Sequence, residues 1–350
     1  MLNTRPGAGM IALPPSALPA SAQTGSTRHS GIEIGRITAC FAVILLHQEA
    51  ASYGSAGYMS DLFDQAARWA VPFFFIISGY FMPLTGRWFA TTARYFKRLF
   101  PVFVFWCLFY LAIAEDPSIH FDGLRNISKL LVGGPGFHLW FLPSLGICLS
   151  IAAAFIYAGA VRGLIILSVL LYLTGLALGS YSAAVLDLLS IDRQLDVNSR
   201  NGPFFGLIFV TLGHLIRIGT IRPTLWSGIA VLGLGALITA AEAFVLYAAY
   251  GTGMTRHDFL VGTLPFGLGA TLVFLSFDIR SPAIASAARR VGACSLGIYA
   301  VHLVVLRQVT ALLGPDSFTG GLLVAVLALA VSSAIALIGA QIPVLKRVFR

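Results

Sequence analysis

The segment RITACFAVILLH, residues 36–47, is an apolar run that begins with an arginine and ends with a histidine. Eleven residues of α-helix make about three turns, so these two side chains lie on one face, roughly 16 Å apart along the axis. Glu33 stands three residues before Arg36, a spacing that allows an ion pair on a helix. Ionisable side chains within a membrane helix usually face the bundle interior or a wet cavity. The segment therefore predicts a membrane helix with a polar stripe.

The composition of the whole chain indicates a membrane protein. Of its 350 residues, 57% are hydrophobic and only 11% are charged, whereas soluble domains carry about 25% charged residues. The mean hydropathy is +0.86. The formal net charge of +9 raises the question of a nucleic-acid partner. Basic residues retained in cytoplasmic loops explain the charge better, so we expect no nucleic acid.

Ten apolar stretches approach the roughly 20 residues that a helix needs to cross a bilayer. They are about 32–50, 67–85, 97–114, 139–158, 163–181, 202–219, 224–249, 258–276, 292–312 and 321–342. An even number of spans places both termini on one side. The loops 86–98, 217–223 and 277–290 are basic, and the positive-inside rule assigns such loops to the cytoplasm. The sequence thus predicts an all-α polytopic membrane protein of about ten transmembrane helices, with both termini cytoplasmic.

No linker or internal repeat divides the chain, so we expect one membrane domain with two flanking tails. Residues 1–30 are rich in Pro, Ala, Ser and Thr, which predicts a disordered cytoplasmic tail. Residues 31–342 are predicted to form the transmembrane domain, and 343–350 a basic cytoplasmic tail. All four cysteines lie inside apolar runs, without CxxC spacing or histidines at zinc-site distances. We therefore expect neither disulfides nor a metal site.

Four further motifs follow the first one in order along the chain. They are VPFFFIISGYFM (71–82), RYFKRLFP (94–101), HLWFLPSL (138–145) and SLGIYAVH (295–302). Together with RITACFAVILLH they resemble acyltransferase family 3, a family of integral membrane O-acyltransferases that act on cell-surface glycans and related acceptors. The resemblance extends from about residue 31 to 342. The stretch SRNGPFFGLIFVTLGHLI (199–216) is also similar to the branch that includes polysaccharide O-acetyltransferases.

The resemblance implies a multi-pass protein of the bacterial inner (plasma) membrane, surrounded by lipid, that transfers an acyl group to a hydroxyl. We expect the donor to be a cytoplasmic acyl-CoA, acetyl-CoA in the simplest case. The donor enters as a substrate, and no permanently bound cofactor is expected. The expected acceptor is a cell-surface glycan or a lipid-linked saccharide.

The family's arginine–ten residues–histidine motif falls on Arg36 and His47, and its frequent preceding acidic residue falls on Glu33. The resemblance implies that these three residues act in catalysis, with His47 as the general base that takes the proton of the acceptor hydroxyl. Cys40, seven residues before His47, leaves an acyl-cysteine intermediate open, although we favour direct transfer. Without the family, Glu33–Arg36 is equally an interfacial ion pair and His47 a packing residue.

The family also has two arginines, separated by two residues, before the proline of the third span. Here Arg98 occupies the second position but Tyr95 the first, with Arg94 and Lys97 close by. We expect Arg94, Lys97 and Arg98 to bind the phosphates of the donor, because guanidinium groups fit phosphate oxygens. The competing interpretation is the ordinary positive-inside signal.

Six residues are candidates for binding the acceptor. Trp140 offers an indole face to a sugar ring, but is also typical of an anchor at the membrane interface. Tyr299 and His302 share a helix face and either line a polar cavity or form a buried pair. Glu242 is a lone carboxylate within the seventh span. The full set is His138, Trp140, Asn201, Glu242, Tyr299 and His302.

Two other functions fit a protein with ten spans and a polar interior. One is a transporter or lipid flippase, and the other is an acyl-group translocator without transferase activity. Transporters often show repeated halves and helices broken near the midplane, and neither is evident in the sequence. An assay of acetyl transfer from radiolabelled acetyl-CoA in purified membranes separates these alternatives from an enzyme.

Overall fold

The computed structural model describes residues 29–84, 86–116, 118, 129–130, 133–191, 198–253 and 257–350. Within these residues the protein is helical and has no β-strand, which confirms the predicted all-α class. The α-helices are α1 (Ser30–Leu46), α2 (Tyr58–Ala67), α3 (Ala70–Tyr80), α4 (Trp88–Ala112), α5 (Phe141–Tyr157), α6 (Val161–Leu178), α7 (Ser182–Leu188), α8 (Pro203–Arg217), α9 (Leu225–Tyr250), α10 (Thr263–Leu275), α11 (Pro282–Gly292), α12 (Ser295–Leu313), α13 (Phe318–Gly339) and α14 (Lys346–Phe349). Two 3-10 segments, Ala50–Ala56 and Phe137–Trp140, follow α1 and precede α5. The predicted disordered tail lies outside the described residues, apart from residues 29 and 30.

Each of the ten predicted apolar stretches contains a helix, but the helices differ in length. Among the described residues, α4, α6, α9, α12, α13 and the continuous unit Phe137–Tyr157 are long and apolar enough to cross a membrane. The helix α1, together with the 3-10 segment after it, makes a seventh span if that bent pair counts as one. Two apolar helices, α8 and α10, have only 15 and 13 residues. The structure thus agrees with a multi-pass membrane protein, while ten spans and cytoplasmic termini stay predictions.

The first helix lies at the centre of the bundle. It contacts α2, α3, α10, α11, α12 and α13. Its start is held by Asp278, whose carboxylate accepts hydrogen bonds from the Ser30 amide at 2.7 Å and the Ser30 hydroxyl at 2.9 Å. The side chains of Ile32, Ala39 and Ile44 are buried. The helix α1 thus has six neighbouring helices, so its polar stripe is enclosed by the bundle.

The chain bends sharply at the end of α1. The axis of α1 and that of the 3-10 segment Ala50–Ala56 differ by 79°. A buried network supports the bend, because Gln48 donates to the Gly321 carbonyl at 2.8 Å and accepts from the Tyr53 hydroxyl at 2.9 Å. Non-helical backbone at membrane depth is tolerated where it is buried in protein or lines a cavity. The bend leaves His47 as the residue that caps the broken helix.

The helices α3 and α8 pack with their backbones in contact. A β-carbon on Gly79 would lie 2.2 Å from the Val210 carbonyl oxygen, and one on Gly213 would lie 2.0 Å from the Ile76 carbonyl oxygen. Small residues permit such close approach between membrane helices. The aromatic block of residues 71–82, most of which forms α3, is therefore backed by α8.

The end of the chain folds back onto the bundle. The helix α14 contacts α4, α12 and α13. Val348 and Phe349 are buried, and the Trp106 indole donates to the Val348 carbonyl at 3.2 Å. The predicted basic tail of residues 343–350 therefore ends in a docked segment.

Candidate active site

A cavity of about 240 Å³ lies beside the first half of α1, and we call it the arginine cavity. Four guanidinium groups line it: Arg36 from α1, Arg94 and Arg98 from α4, and Arg350 after α14. No Asp or Glu side chain occurs among the described residues that line it. The remaining wall is mostly apolar, with Phe74, Ile77, Phe81, Leu142, Leu145, Leu149 and Leu296. Concentrated guanidinium beside an apolar wall suits a phosphorylated ligand with an apolar part.

The ion pair expected from the spacing of Glu33 and Arg36 is formed. The Arg36 Nη1 atom lies 3.1 and 3.0 Å from the two carboxylate oxygens of Glu33. The Glu33 side chain is 3% exposed and that of Arg36 24% exposed, so the carboxylate is buried and the guanidinium faces the cavity. A β-carbon on Gly292 would lie 2.3 Å from Glu33 Oε2, so α11 holds the pair closely. Arg36 also lies 5.8 Å from the centroid of Phe81.

The three basic residues predicted to bind the donor, all on α4, do not all reach the arginine cavity. Arg94 and Arg98 line the arginine cavity, whereas Lys97 is exposed and outside its lining. Tyr95, which replaces the family's first arginine, is buried, lines the cavity and donates to the Pro83 carbonyl at 3.4 Å. No described residue accepts a hydrogen bond from Arg98, so its guanidinium is available to a ligand.

A second cavity of about 80 Å³ lies at the other end of α1, and we call it the histidine cavity. Its lining includes His47, His138 and Trp140. Phe141 and Tyr299 line both cavities, so these two side chains form the partition between them. The His47 ring is half-buried and makes no hydrogen bond to a described residue. Its ring nitrogens are therefore open to a group that enters the cavity.

Three histidines cluster around this cavity. The rings of His47 and His302 are stacked with centroids 5.4 Å apart, and those of His138 and His302 meet edge to face at 5.1 Å. The His138 Nε2 atom lies 3.2 Å from the Ala300 carbonyl oxygen, and His302 Nδ1 bonds the Tyr299 carbonyl. A carbonyl only accepts, so both nitrogens carry their proton. The opposite atoms, His138 Nδ1 and His302 Nε2, are buried bases without a partner among the described residues.

Tyrosine hydroxyls hold this cluster in place. Tyr299 donates to the His138 carbonyl, and Tyr110 donates to the Ala300 carbonyl at 2.8 Å. These bonds join α12 to α4 and to the 3-10 segment before α5. The candidate base His47 therefore faces a rigid, hydrogen-bonded wall.

Charged residues from loops complete the histidine cavity. Arg68 donates to Asp64 at 3.0 Å and to the Asp258 carbonyl at 3.2 Å, and Arg200 donates to the Asp258 carboxylate at 3.0 Å. The Arg200 guanidinium lies 5.5 Å from the centroid of Trp140, so it covers one face of the indole. Burial raises the pKa of Asp64 above its usual value, and the Arg68 guanidinium only partly offsets this.

Three of the predicted acceptor residues, His302, Asn201 and Glu242, lie outside both cavity linings, although the His302 ring stacks on His47. Glu242 accepts from the Tyr181 hydroxyl and from the Gly262 amide, the latter at 2.8 Å. It thus connects α9 to the end of α6 and the start of α10. Asn201 Oδ1 is buried and has no partner among the described residues. Acceptor binding by Asn201 and Glu242 stays a prediction.

Some residues of the two linings were not candidates from the sequence. Arg68, Asp258 and Arg350 belong to no recognised motif, and they reach the cavities through long-range contacts. In the sequence, Arg68 and Asp258 are marked only by their position at the predicted outer ends of spans. Arg350 is marked only by its place in the basic run LKRVFR.

The chain is similar to known proteins and matches one protein family. The chain is 30% identical over 207 residues to a protein named amino-acid racemase from Enterococcus faecalis, a region that covers 55% of this chain and 29% of that protein. It is 27% identical over 263 residues to a serine/alanine racemase from Enterococcus gallinarum, covering 68% of this chain and 36% of the relative. The chain thus spans about a third of the length of both relatives. No solved structure matches it. Residues 29–340 match the family described as an acyltransferase domain, and the chain therefore belongs to acyltransferase family 3.

Proposed function

We propose that this membrane acyltransferase transfers an acetyl group from cytoplasmic acetyl-CoA to a hydroxyl of a cell-surface glycan or lipid-linked saccharide. The observation that carries the proposal is the pair of cavities that share Phe141 and Tyr299. One cavity has a concentration of arginines suited to the donor, and the other presents an open imidazole to the acceptor. The proposed site of action is the bacterial inner (plasma) membrane.

The positive charge of the arginine cavity supports coenzyme A as its ligand. Coenzyme A carries several phosphate groups, and Arg36, Arg94 and Arg98 line one cavity in which no described lining residue is an Asp or Glu. Its pantetheine arm matches the apolar wall, which leads along α1 towards the partition. The Glu33 carboxylate orients Arg36 through two hydrogen bonds. Glu33 is in this scheme a positioning residue.

The chemical step is a direct transfer at the partition. His47 takes the proton of the acceptor hydroxyl while its oxygen attacks the thioester carbonyl carbon. The new C–O bond forms, the C–S bond breaks, and the thiolate of coenzyme A receives the proton from His47. His138 lines the histidine cavity and the His302 ring stacks on His47, so we assign their unpartnered basic nitrogens as two further hydrogen-bond acceptors beside the acceptor hydroxyl.

Direct transfer is supported over an acyl-cysteine route. Covalent catalysis needs a nucleophile with a base within hydrogen-bond reach. Cys40 is buried, lies 3.7 Å from the Ser295 carbonyl oxygen and lines neither cavity. Its thiol is therefore badly placed to receive the acyl group from a donor in the arginine cavity.

The alternative proposal is movement of a ligand without chemistry, either as a transporter or flippase or as an acyl-group translocator. Two cavities arranged along α1 with a partition of two side chains also suit a passage. The matched regions are only 29% and 36% of the two relatives, so the racemase activities in their names do not support a racemase function for this chain.

The test uses the purified protein in liposomes with [¹⁴C]acetyl-CoA and an extract of surface and lipid-linked saccharides. We expect labelled ester in the saccharide fraction, and a His47→Ala variant with unchanged melting temperature should lose at least about 100-fold of this activity. His214→Ala is the matched control, because His214 is buried but lines neither cavity. Full activity in His47→Ala would remove His47 from the mechanism. Label that crosses the membrane without forming ester would favour the alternative.

A further inference from the structure

The segment after α13 is docked through one aromatic side chain. Phe349 packs edge to face on Trp106 with ring centroids 5.3 Å apart. Two glycines make room for it, since β-carbons on Gly297 and Gly339 would lie 2.7 and 2.5 Å from the Phe349 ring. The phenyl ring therefore fills a recess formed by α4, α12 and α13.

This docking determines where the adjacent basic residues go. Arg350 follows the buried Phe349 directly and lines the arginine cavity. Lys346 and Arg347 belong to α14, the short helix that ends at Phe349, and lie outside the lining. One of three neighbouring basic residues thus faces the cavity, so its position follows from packing rather than from overall charge.

We propose that Arg350 is a further donor-binding residue, which contacts a phosphate group of the coenzyme A moiety, and that α14 is the anchor that holds it there. The inference rests on the proposed function, since it assigns a ligand contact in the same cavity. Arg36 comes from α1, Arg94 and Arg98 come from α4, and Arg350 adds a guanidinium from a separate segment, which follows α14 and is docked on α4, α12 and α13. No described residue accepts a hydrogen bond from Arg350.

The arrangement also explains why a basic residue is useful at this place. A nucleotide with several phosphates offers several acceptor groups, and each guanidinium fork can hold one of them through two parallel hydrogen bonds. The docked segment ties the donor helix α4 to α12, which carries Tyr299 and His302. Phe349, the residue before Arg350, is thus packed against both α4 and α12.

The test measures binding of coenzyme A to the purified full chain in detergent by calorimetry, together with acetyl transfer kinetics. Arg350→Ala should weaken coenzyme A binding by about 10-fold or more, as expected for loss of a charge-assisted hydrogen bond. Its KM for acetyl-CoA should rise with little change in kcat, because the contact is made equally in ground and transition states. Arg350→Lys should recover part of the affinity, since it restores the charge without the fork.

Arg347→Ala is the matched control, as it removes the same charge from the same segment outside the cavity. It should bind coenzyme A within about twofold of the wild type, because an exposed charge away from the ligand is largely screened. Equal affinities of Arg350→Ala and the wild type would overturn the inference and leave the proposed function standing. A wild type that binds no coenzyme A would overturn both.

Discussion

Tyr299 is the residue on which the two halves of the site depend. It lines both cavities, its hydroxyl donates to the His138 carbonyl, and its own carbonyl accepts from His302. Its ring thus forms part of the partition, its hydroxyl holds the backbone at His138, and its backbone carbonyl fixes the tautomer of His302. The rings of Phe141 and Tyr299 lie 5.5 Å apart, so the partition is a contact between two aromatic rings. In the proposed mechanism, the thioester reaches His47 by passing this contact.

The role of His302 can be separated from its packing by one substitution. Asparagine in place of His302 retains an N–H donor close to the position of Nδ1, and so keeps the bond to the Tyr299 carbonyl. It lacks the basic Nε2 atom. We expect His302→Asn to fold with a melting temperature near that of the wild type and to lose about 100-fold in kcat, measured with labelled acetyl-CoA. An Asn variant with normal kcat would make His302 a packing residue only.

The sequence predicted those site residues that share one helix. Arg36 and His47 are eleven apart, and Arg94 and Arg98 are four apart, so helical periodicity alone brings each pair to one face. The same geometry explains Lys97, which is rotated by about 100° from Arg98 and points away from the cavity. Arg350 reaches the cavity through the Phe349 recess, and such tertiary packing leaves no periodic signal in one sequence.

At the scale of elements, hydropathy located the helices but not their ends. The predicted span 32–50 contains α1, which ends at Leu46, and the following 3-10 segment turns away by 79°. The bend depends on Gln48, whose amide meets Gly321 of α13 far along the chain. The apolar stretch around α10 includes two buried loop residues, Phe259 and Leu260. An average over hydropathy cannot distinguish such residues from a longer helix.

The close contact between α3 and α8 predicts that a larger residue in place of Gly213 lowers the stability of the protein. Gly213→Ala places a methyl group on the Ile76 carbonyl of α3, so we expect a loss of stability of about 1–3 kcal/mol. Gly233→Ala in α9 is the matched control, because nothing lies within 4 Å of its β-carbon, and the better helix propensity of alanine should leave stability equal or slightly higher. Thermal unfolding in detergent measures both. Equal melting temperatures of the two variants would contradict the close packing of α3 and α8.

At the scale of the whole molecule, the two cavities occupy opposite halves of the first helix. The arginine cavity includes Arg36, about two turns from the start of α1. The histidine cavity includes His47, at the end of α1. Eleven residues of helix separate these groups by roughly 16 Å, about half the hydrocarbon thickness of a bilayer. If the basic loops are cytoplasmic, the donor enters from the cytoplasm and the acceptor from the other side.

Cysteine labelling tests this two-sided access. In a background without the four native cysteines, Ala293→Cys introduces a thiol into the arginine cavity and Val71→Cys one into the histidine cavity. We expect a membrane-impermeant, negatively charged thiol reagent to modify the Val71→Cys variant in intact cells and the Ala293→Cys variant in inverted vesicles. Coenzyme A should protect the Ala293→Cys variant alone, because it occupies the arginine cavity. Labelling of both variants from one side, or protection of both, would contradict a partition between donor and acceptor access.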